Sequence, residues 1–133
     1  MGTGFVFHER CMWHDAGNAA SFVPSGGSVQ PDQHAEEPET KRRIRNLMEV
    51  SGLLPRLVHI AAEPVDKDLI LRVHGREYVE DIVAKSRGLG GTAGTNTFFS
   101  TDGYDIARLS AGGCLSLMSA VVAGDVSNGY SLT

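Results

Sequence analysis

Thr101 to Thr133 constrains this chain more than any other stretch, because one long apolar helical pattern is followed there at once by a strand pattern. Ile106, Leu109, Gly113, Leu117, Ala120 and Val121 recur on one helical face, and Ala107, Ala111, Cys114, Met118 and Val122 on the other. A helix apolar on both sides is sandwiched between layers, and the length of the pattern argues against a strand. Asp102 is placed to cap the helix, with Asp105 in the first turn, where a carboxylate favours the exposed N–H groups. Gly124 supplies a left-handed C-terminal residue, Asp125 to Asn128 turn the chain, and Gly129 to Thr133 form a strand. In open α/β sheets ligands bind just beyond the carboxyl ends of strands, so a site is expected to begin near Thr133.

Upstream, Thr3 to His8 is aromatic and β-branched and predicts a short buried strand. Asp15 to Glu37 holds glycines and prolines without a sustained period and predicts a long loop, a length that is functional or mobile in compact domains. Phe22 and Val23 are the anchors it offers for a subunit contact. Pro38 opens a helix with Ile44, Leu47 and Met48 inward and Gly52 at its end. Lys41, Arg42, Arg43 and Arg45 resemble a phosphate-binding run, but Glu37 and Glu39 precede Lys41 and Arg43 by four residues and predict a paired, solvated face. Leu57 to Ala61 predicts a second strand. A helix follows from Asp66, with Leu69, Ile70 and Val73 inward, and another spans Arg76 to Ser86 with Tyr78, Val79, Ile82 and Val83 inward. Strands alternating with helices indicate an α/β fold with a parallel sheet flanked by helices.

At 133 residues the chain is at most one domain, and a net charge of -4 argues against general nucleic-acid affinity. Two cysteines far apart, Cys11 and Cys114, suit a reducing, cytoplasmic setting. Arg108, Ser110, Ser116 and Ser119 interrupt the best candidate for a membrane span, which needs roughly 18 continuous apolar residues, so no membrane partner is expected. The N-terminus has no basic region followed by a long apolar run, so secretion is not expected either.

The chemistry-bearing motifs are few. His8, Cys11 and His14 have a spacing that would gather three zinc-capable groups, but structural zinc takes four ligands and only Glu9 and Asp15 lie nearby. Packing beside Met12 and Trp13 is the expected fate of these residues. Gly88, Gly90 and Ala93 match Gly-x-Gly-x-x-Ala, yet the motif follows a helix, whereas a dinucleotide fingerprint leaves a strand and opens one. A flexible glycine connection over Gly88 to Gly94 is expected instead. No nucleophile elbow, Walker loop, His-Glu-x-x-His or Cys-x-x-Cys occurs.

Five segments in order resemble the N-terminal part of the histone deacetylase family, in particular its bacterial class II-like and acetylpolyamine amidohydrolase branch. Phe5 to His14 (FVFHERCMWH) is similar to the family's first strand and its exit, and His34 to Leu47 (HAEEPETKRRIRNL) to its His-Pro-Glu-x-Pro-x-Arg-Leu helix opening, with Ala35 in place of a proline. Leu71 to Val79 (LRVHGREYV) is similar to Val-His-x-x-x-Tyr-Val, and Ala107 to Gly113 (ARLSAGG) to the long helix. Asn128 to Thr133 (NGYSLT) resembles the strand that leads into the family's paired-histidine segment.

The resemblance implies the N-terminal third of an arginase/deacetylase-type catalytic domain and a zinc-dependent hydrolase acting on acetyl-lysine or acetylpolyamine-type amides. In that family Zn2+ polarises the amide carbonyl and activates water, histidines serve as acid and base, and a tyrosine holds the oxyanion. By the resemblance those groups lie downstream, so no catalytic or metal residue is assigned to these 133 residues and the chain alone is expected to bind no metal and to be inactive. Asn96-Thr97 falls near the family's channel-mouth Asp-Thr, which implies a substrate-rim position for Asn96; a turn asparagine is the alternative. Glu9, His14 and His34 have no catalytic counterparts in the family. The long loop with Phe22 and Val23 implies a homo-oligomer contact. The competing class is a non-catalytic module that pairs with another chain through its open sheet.

Overall fold

Apolar β-branched and aromatic residues at the N-terminus form the strand on which the rest is hung. The computed structural model describes residues 2–20 and 23–133. Strand β1 spans Thr3–Phe7 and runs into a short 3-10 helix, Glu9–Trp13. Three short strands follow, β2 (Asn18–Ala20), β3 (Val23–Pro24) and β4 (Asp32–Gln33), and then helix α1 (Glu39–Val50). Beyond it come β5 (Val58–His59), a single turn α2 (Lys67–Ile70) and α3 (Arg76–Arg87). The chain closes with β6 (Gly91–Thr92), β7 (Phe98–Phe99), the long α4 (Gly103–Ala123) and β8 (Asn128–Leu132).

The principal sheet is parallel, in the order β5-β1-β8, with β1 in the middle. Helix α4 crosses it in the way two glycines permit. Gly4 and Gly129 are register partners on β1 and β8. A Cβ at Gly4 would lie 2.6 Å from Leu117 Cδ1, and one at Gly129 would meet the same leucine. Leu117 therefore fills a hollow made by two missing side chains. Phe5, Leu54 and Leu132 form a second packed cluster, and Phe5, Val6 and Val126 are the large side chains most completely shut off from solvent. The arrangement is a parallel α/β sheet with helices against it, as the alternation of strand and helix patterns predicts.

Several local expectations need correction. Asp102 does precede α4, but it adopts a left-handed conformation (φ 65) and its carboxylate makes no capping bond. The carboxylate meets Arg10 Nη2 at 2.7 Å, and the helix start is served by Ser86 Oγ of α3, which accepts from Tyr104 N at 3.0 Å. Gly124 is left-handed as expected (φ 81). Only one of the two apolar faces of α4 is covered: Ile106, Leu109, Leu117 and Ala120 are buried, whereas Met118 and Val122 are exposed. Although polar residues interrupt it, α4 is long and apolar enough by length and composition to cross a membrane; in this fold its covered face is taken up by β1 and β8.

Helix α1 has no buried residue, and Ile44 and Leu47 of its expected inward stripe are exposed, while Met48 is part-buried against the Leu54 cluster. Its basic run is a paired surface, though with other partners than the spacing suggested. Arg42 bonds Glu9 and lies near Glu39, Lys41 lies near Glu36, and Arg45 near Glu49. Helix α2 stops after one turn, leaving Val73 exposed, and on α3 Val79 is buried while Tyr78 is 43% exposed. The segment from Asp15 to Glu37 is not featureless: β3-β2-β4 form a small antiparallel sheet. Phe22 lies outside the described residues, and Val23 is exposed. The glycine stretch Gly88 to Gly94 is a built feature as well. Gly90 (φ 91) lets the chain press against the backbone of Phe99, and β6 pairs with β7 in a hairpin.

Candidate functional site

A cavity of about 610 Å³ opens at the carboxyl ends of β1 and β8, where the strand rule places a site. Its walls come from several separate segments of the chain. The turn after β1 contributes Cys11, Met12 and His14, and the entry to α1 adds His34 and Lys41. Helix α3 supplies Tyr78, Val79 and Ile82, the β6–β7 hairpin supplies Asn96 to Phe99, and the first turns of α4 supply Tyr104, Ala107 and Arg108. Thr133, just past β8, also lines the cavity, and Ser110 Oγ donates to its hydroxyl at 3.0 Å.

The wall is mostly apolar with a few polar atoms set into it, the usual make-up of a small-molecule site. Tyr104 Oη is buried and has no hydrogen-bond partner among the described residues, a polar atom left unsatisfied behind the cavity wall. The Tyr104 ring lies under the Arg108 guanidinium, 5.8 Å from its centroid. That guanidinium is tied down by a 2.8 Å bond from Nε to Val65 O. His34 is buried and its Nδ1 accepts from Glu36 N at 3.0 Å.

Burial pushes the His14 imidazole below its ordinary value of 6.5; Asp15 opposes this, while Lys41 and His34 add to it. A histidine whose folded pKa is lowered favours folding when neutral. The stability it contributes is present above pH 6.5 and is lost as pH falls through the lower folded value. His14→Gln should accordingly flatten the fall in the urea midpoint between about pH 8 and about pH 5, by removing a group that must charge on acidification. An unchanged pH dependence in the variant would contradict the burial assigned to this imidazole.

Cys11 is buried against Met12 and Leu109, and burial, with a smaller effect of Cys114, pushes its thiol up, away from the thiolate that metals bind. His8 Nδ1 is used in accepting from Arg10 N at 3.0 Å at the start of the 3-10 helix. The His8, Cys11, His14 spacing therefore does not become a ligand set. Among the described residues no three His, Cys, Asp or Glu side chains converge to hold a metal ion, so these residues do not fit a zinc centre.

Asn96 lines the cavity from the hairpin turn in a left-handed conformation (φ 56), which asparagine tolerates. Glu9, by contrast, is engaged with Arg42 at the surface. The sequence offers His14 only as part of a metal-like spacing and sets His34 aside, and it does not single out Tyr104. The usable signal was positional: His14 lies just past the first strand and Tyr104 in the first turn of the helix that leads to β8, where the strand rule directs attention.

Comparison with known proteins agrees with this architecture. The family model described as the histone deacetylase domain matches residues 34–133. A histone deacetylase-like amidohydrolase of Pseudomonas aeruginosa is 46% identical over 98% of this chain, which spans 35% of that relative. The human polyamine deacetylase HDAC10 is 28% identical over 99% of the chain, which spans 19% of it. Among solved structures, the HDA15 HD domain superposes with a TM-score of 0.79 at 28% identity, covering 100% of this chain and 35% of that one.

Proposed function

The chain belongs to the histone deacetylase family, and we propose that its cavity forms the N-terminal wall and rim of the substrate channel of a zinc-dependent deacetylase. The family is one of deacetylases and amidohydrolases. The single observation that carries the proposal is the placement of a largely apolar cavity, with Tyr104 Oη buried in its wall, at the carboxyl ends of parallel strands in a fold of that family. An acyl group and the methylene chain of a lysine or polyamine suit such walls. Asn96 at the turn is proposed to meet the polar part of the substrate at the rim, with its amide oxygen as acceptor.

The division of labour follows from the donor set. Among the described residues no three metal-capable side chains converge, which supports a reading in which this segment shapes and orients the substrate while zinc binding and proton transfer fall to other parts of the complete enzyme. The segment alone is therefore proposed to be inactive, and the complete enzyme to act on acetylated lysine or acetylpolyamines in the cytoplasm. A second reading, a module that pairs with another chain, is favoured by β8 at the edge of its sheet with Tyr130 half exposed and by the uncovered Met118 and Val122 of α4.

The deciding assay uses protein purified from its complete reading frame, with an acetyl-lysine reporter and an acetylated diamine as substrates. Turnover of at least one, abolished by a chelator and restored by zinc, is the expected result. A folded protein that turns over neither would contradict the proposal.

A further inference from the structure

The β6–β7 hairpin that carries Asn96 is too small to hold its own shape. Its ladder consists of the pairs Gly91↔Phe99 and Thr92↔Phe98, and an isolated two-stranded hairpin is marginal in water even when longer. Its position is set from outside, by one face of α3. Tyr78 Oη donates to Ala93 O at 3.0 Å. Two helical turns later, on the same side of α3, Lys85 Nζ donates to Thr92 O at 3.2 Å.

Ala93 is the residue on which the turn closes, since its N–H donates to Thr97 O at 2.8 Å, and Thr97 N returns to Gly94 O at 3.4 Å. Asn96 sits inside that closure. The phenol of Tyr78 thus grips the turn at its neck, one peptide unit from the bond that shapes it. Tyr78 is 43% exposed although its place in the α3 pattern predicts an inward side chain, so core burial does not explain its orientation. His74, just before the start of α3, packs against the Tyr78 ring with centroids 5.7 Å apart, which steadies the ring. The His-x-x-x-Tyr spacing of Leu71 to Val79 thereby has a physical purpose: it sets an imidazole just ahead of α3 against a phenol that reaches the hairpin turn.

We propose that Tyr78 is a positioning residue for substrate, acting through the hairpin turn: it holds Asn96 and Thr97 at the cavity mouth and so sets affinity, while leaving the chemical step untouched. The proposal rests on the deacetylase function proposed above. It requires no contact between Tyr78 and the reacting atoms.

Tyr78→Phe isolates the hydroxyl, because phenylalanine keeps the stacking with His74 and the helix. In protein from the complete reading frame, amide hydrogen exchange over residues 92–97 should quicken roughly fivefold, the factor that a hydrogen bond of ordinary net strength is worth. Exchange in β1, α4 and β8 should not change. KM for the acetyl-lysine reporter should rise by about the same factor with kcat nearly constant, a split that a general loss of folded protein does not produce. Unchanged exchange over residues 92–97, or a fall in kcat at constant KM, would overturn the proposal. Faster exchange in a protein that turns over neither acylated substrate would instead overturn the deacetylase function, leaving the tether in place.

Discussion

Gly112→Ala is expected to be strongly destabilising although it adds a single methyl group to the middle of a helix. Alanine favours helix over glycine by about 1 kcal/mol, so propensity alone predicts stabilisation in the middle of α4. The close approach of another segment reverses the sign. A Cβ at Gly112 would fall on the backbone of Glu63 and within 2.7 Å of Val65 N, and these are main-chain atoms that cannot rotate aside. The approach is locked by a pair of bonds, Val65 N to Arg108 O at 3.0 Å and Arg108 Nε to Val65 O at 2.8 Å. Relieving the clash means giving up both, so a net loss of at least about 3 kcal/mol is expected, at the upper end of overpacking costs. The neighbouring Gly113→Ala meets side chains, Val6 Cγ1 at 2.9 Å and Ala62 Cβ at 3.2 Å, and should cost less. Urea midpoints followed by far-UV circular dichroism test the order; Gly112→Ala as stable as the parent would refute the packing of α4 on residues 63–65.

Phe5→Ala is expected to cost about 3–5 kcal/mol, the usual range for removing a buried aromatic ring. Phe5 is 1% exposed on the central strand of the parallel sheet. It packs with Leu54 and Leu132 and stands edge-on to His59, with ring centroids 5.8 Å apart. Leucine at this position retains most of the volume and should cost less than about 1.5 kcal/mol. Because native domains are stable by only about 5–15 kcal/mol, the alanine variant should be largely unfolded at modest urea. The same denaturation series reads the difference, and equal losses for alanine and leucine would mean that the ring is not packed as described.

Which parts of this molecule were legible in the sequence follows from where the information sits. The long helix and last strand were, because their signals are local: a sustained apolar period, a glycine that takes the left-handed turn, and a run of strand formers. The family was legible too, through segments such as HAEEPETKRRIRNL and LRVHGREYV in order, and the matched model and relatives agree. The hairpin was not, since its two-residue strands carry no period and exist because Gly90 permits close approach and Tyr78 and Lys85 hold the loop. The capping of α4 by Ser86 was equally hidden, being a contact between residues eighteen apart. Periodicity also overstated burial: Leu47 and Val73 fit apolar stripes and are exposed, because a stripe reports the demand for a cover and not its presence.

The site divides in the same way. Asn96 was reached through resemblance, and the turn conformation that places it in the cavity wall is a structural finding. His14, His34 and Tyr104 come from three separate segments, and only the fold gathers them around one cavity.

Photoaffinity labelling of protein from the complete reading frame, with an acetyl-lysine analogue bearing a diazirine on its side chain, tests most directly whether this cavity is the channel wall. The account predicts adducts on peptides containing His14, Asn96 to Phe99, or Tyr104, suppressed by excess acetylated substrate. Labelling confined to the β2–β4 sheet or to the exposed face of α4, with these peptides clean, would contradict it.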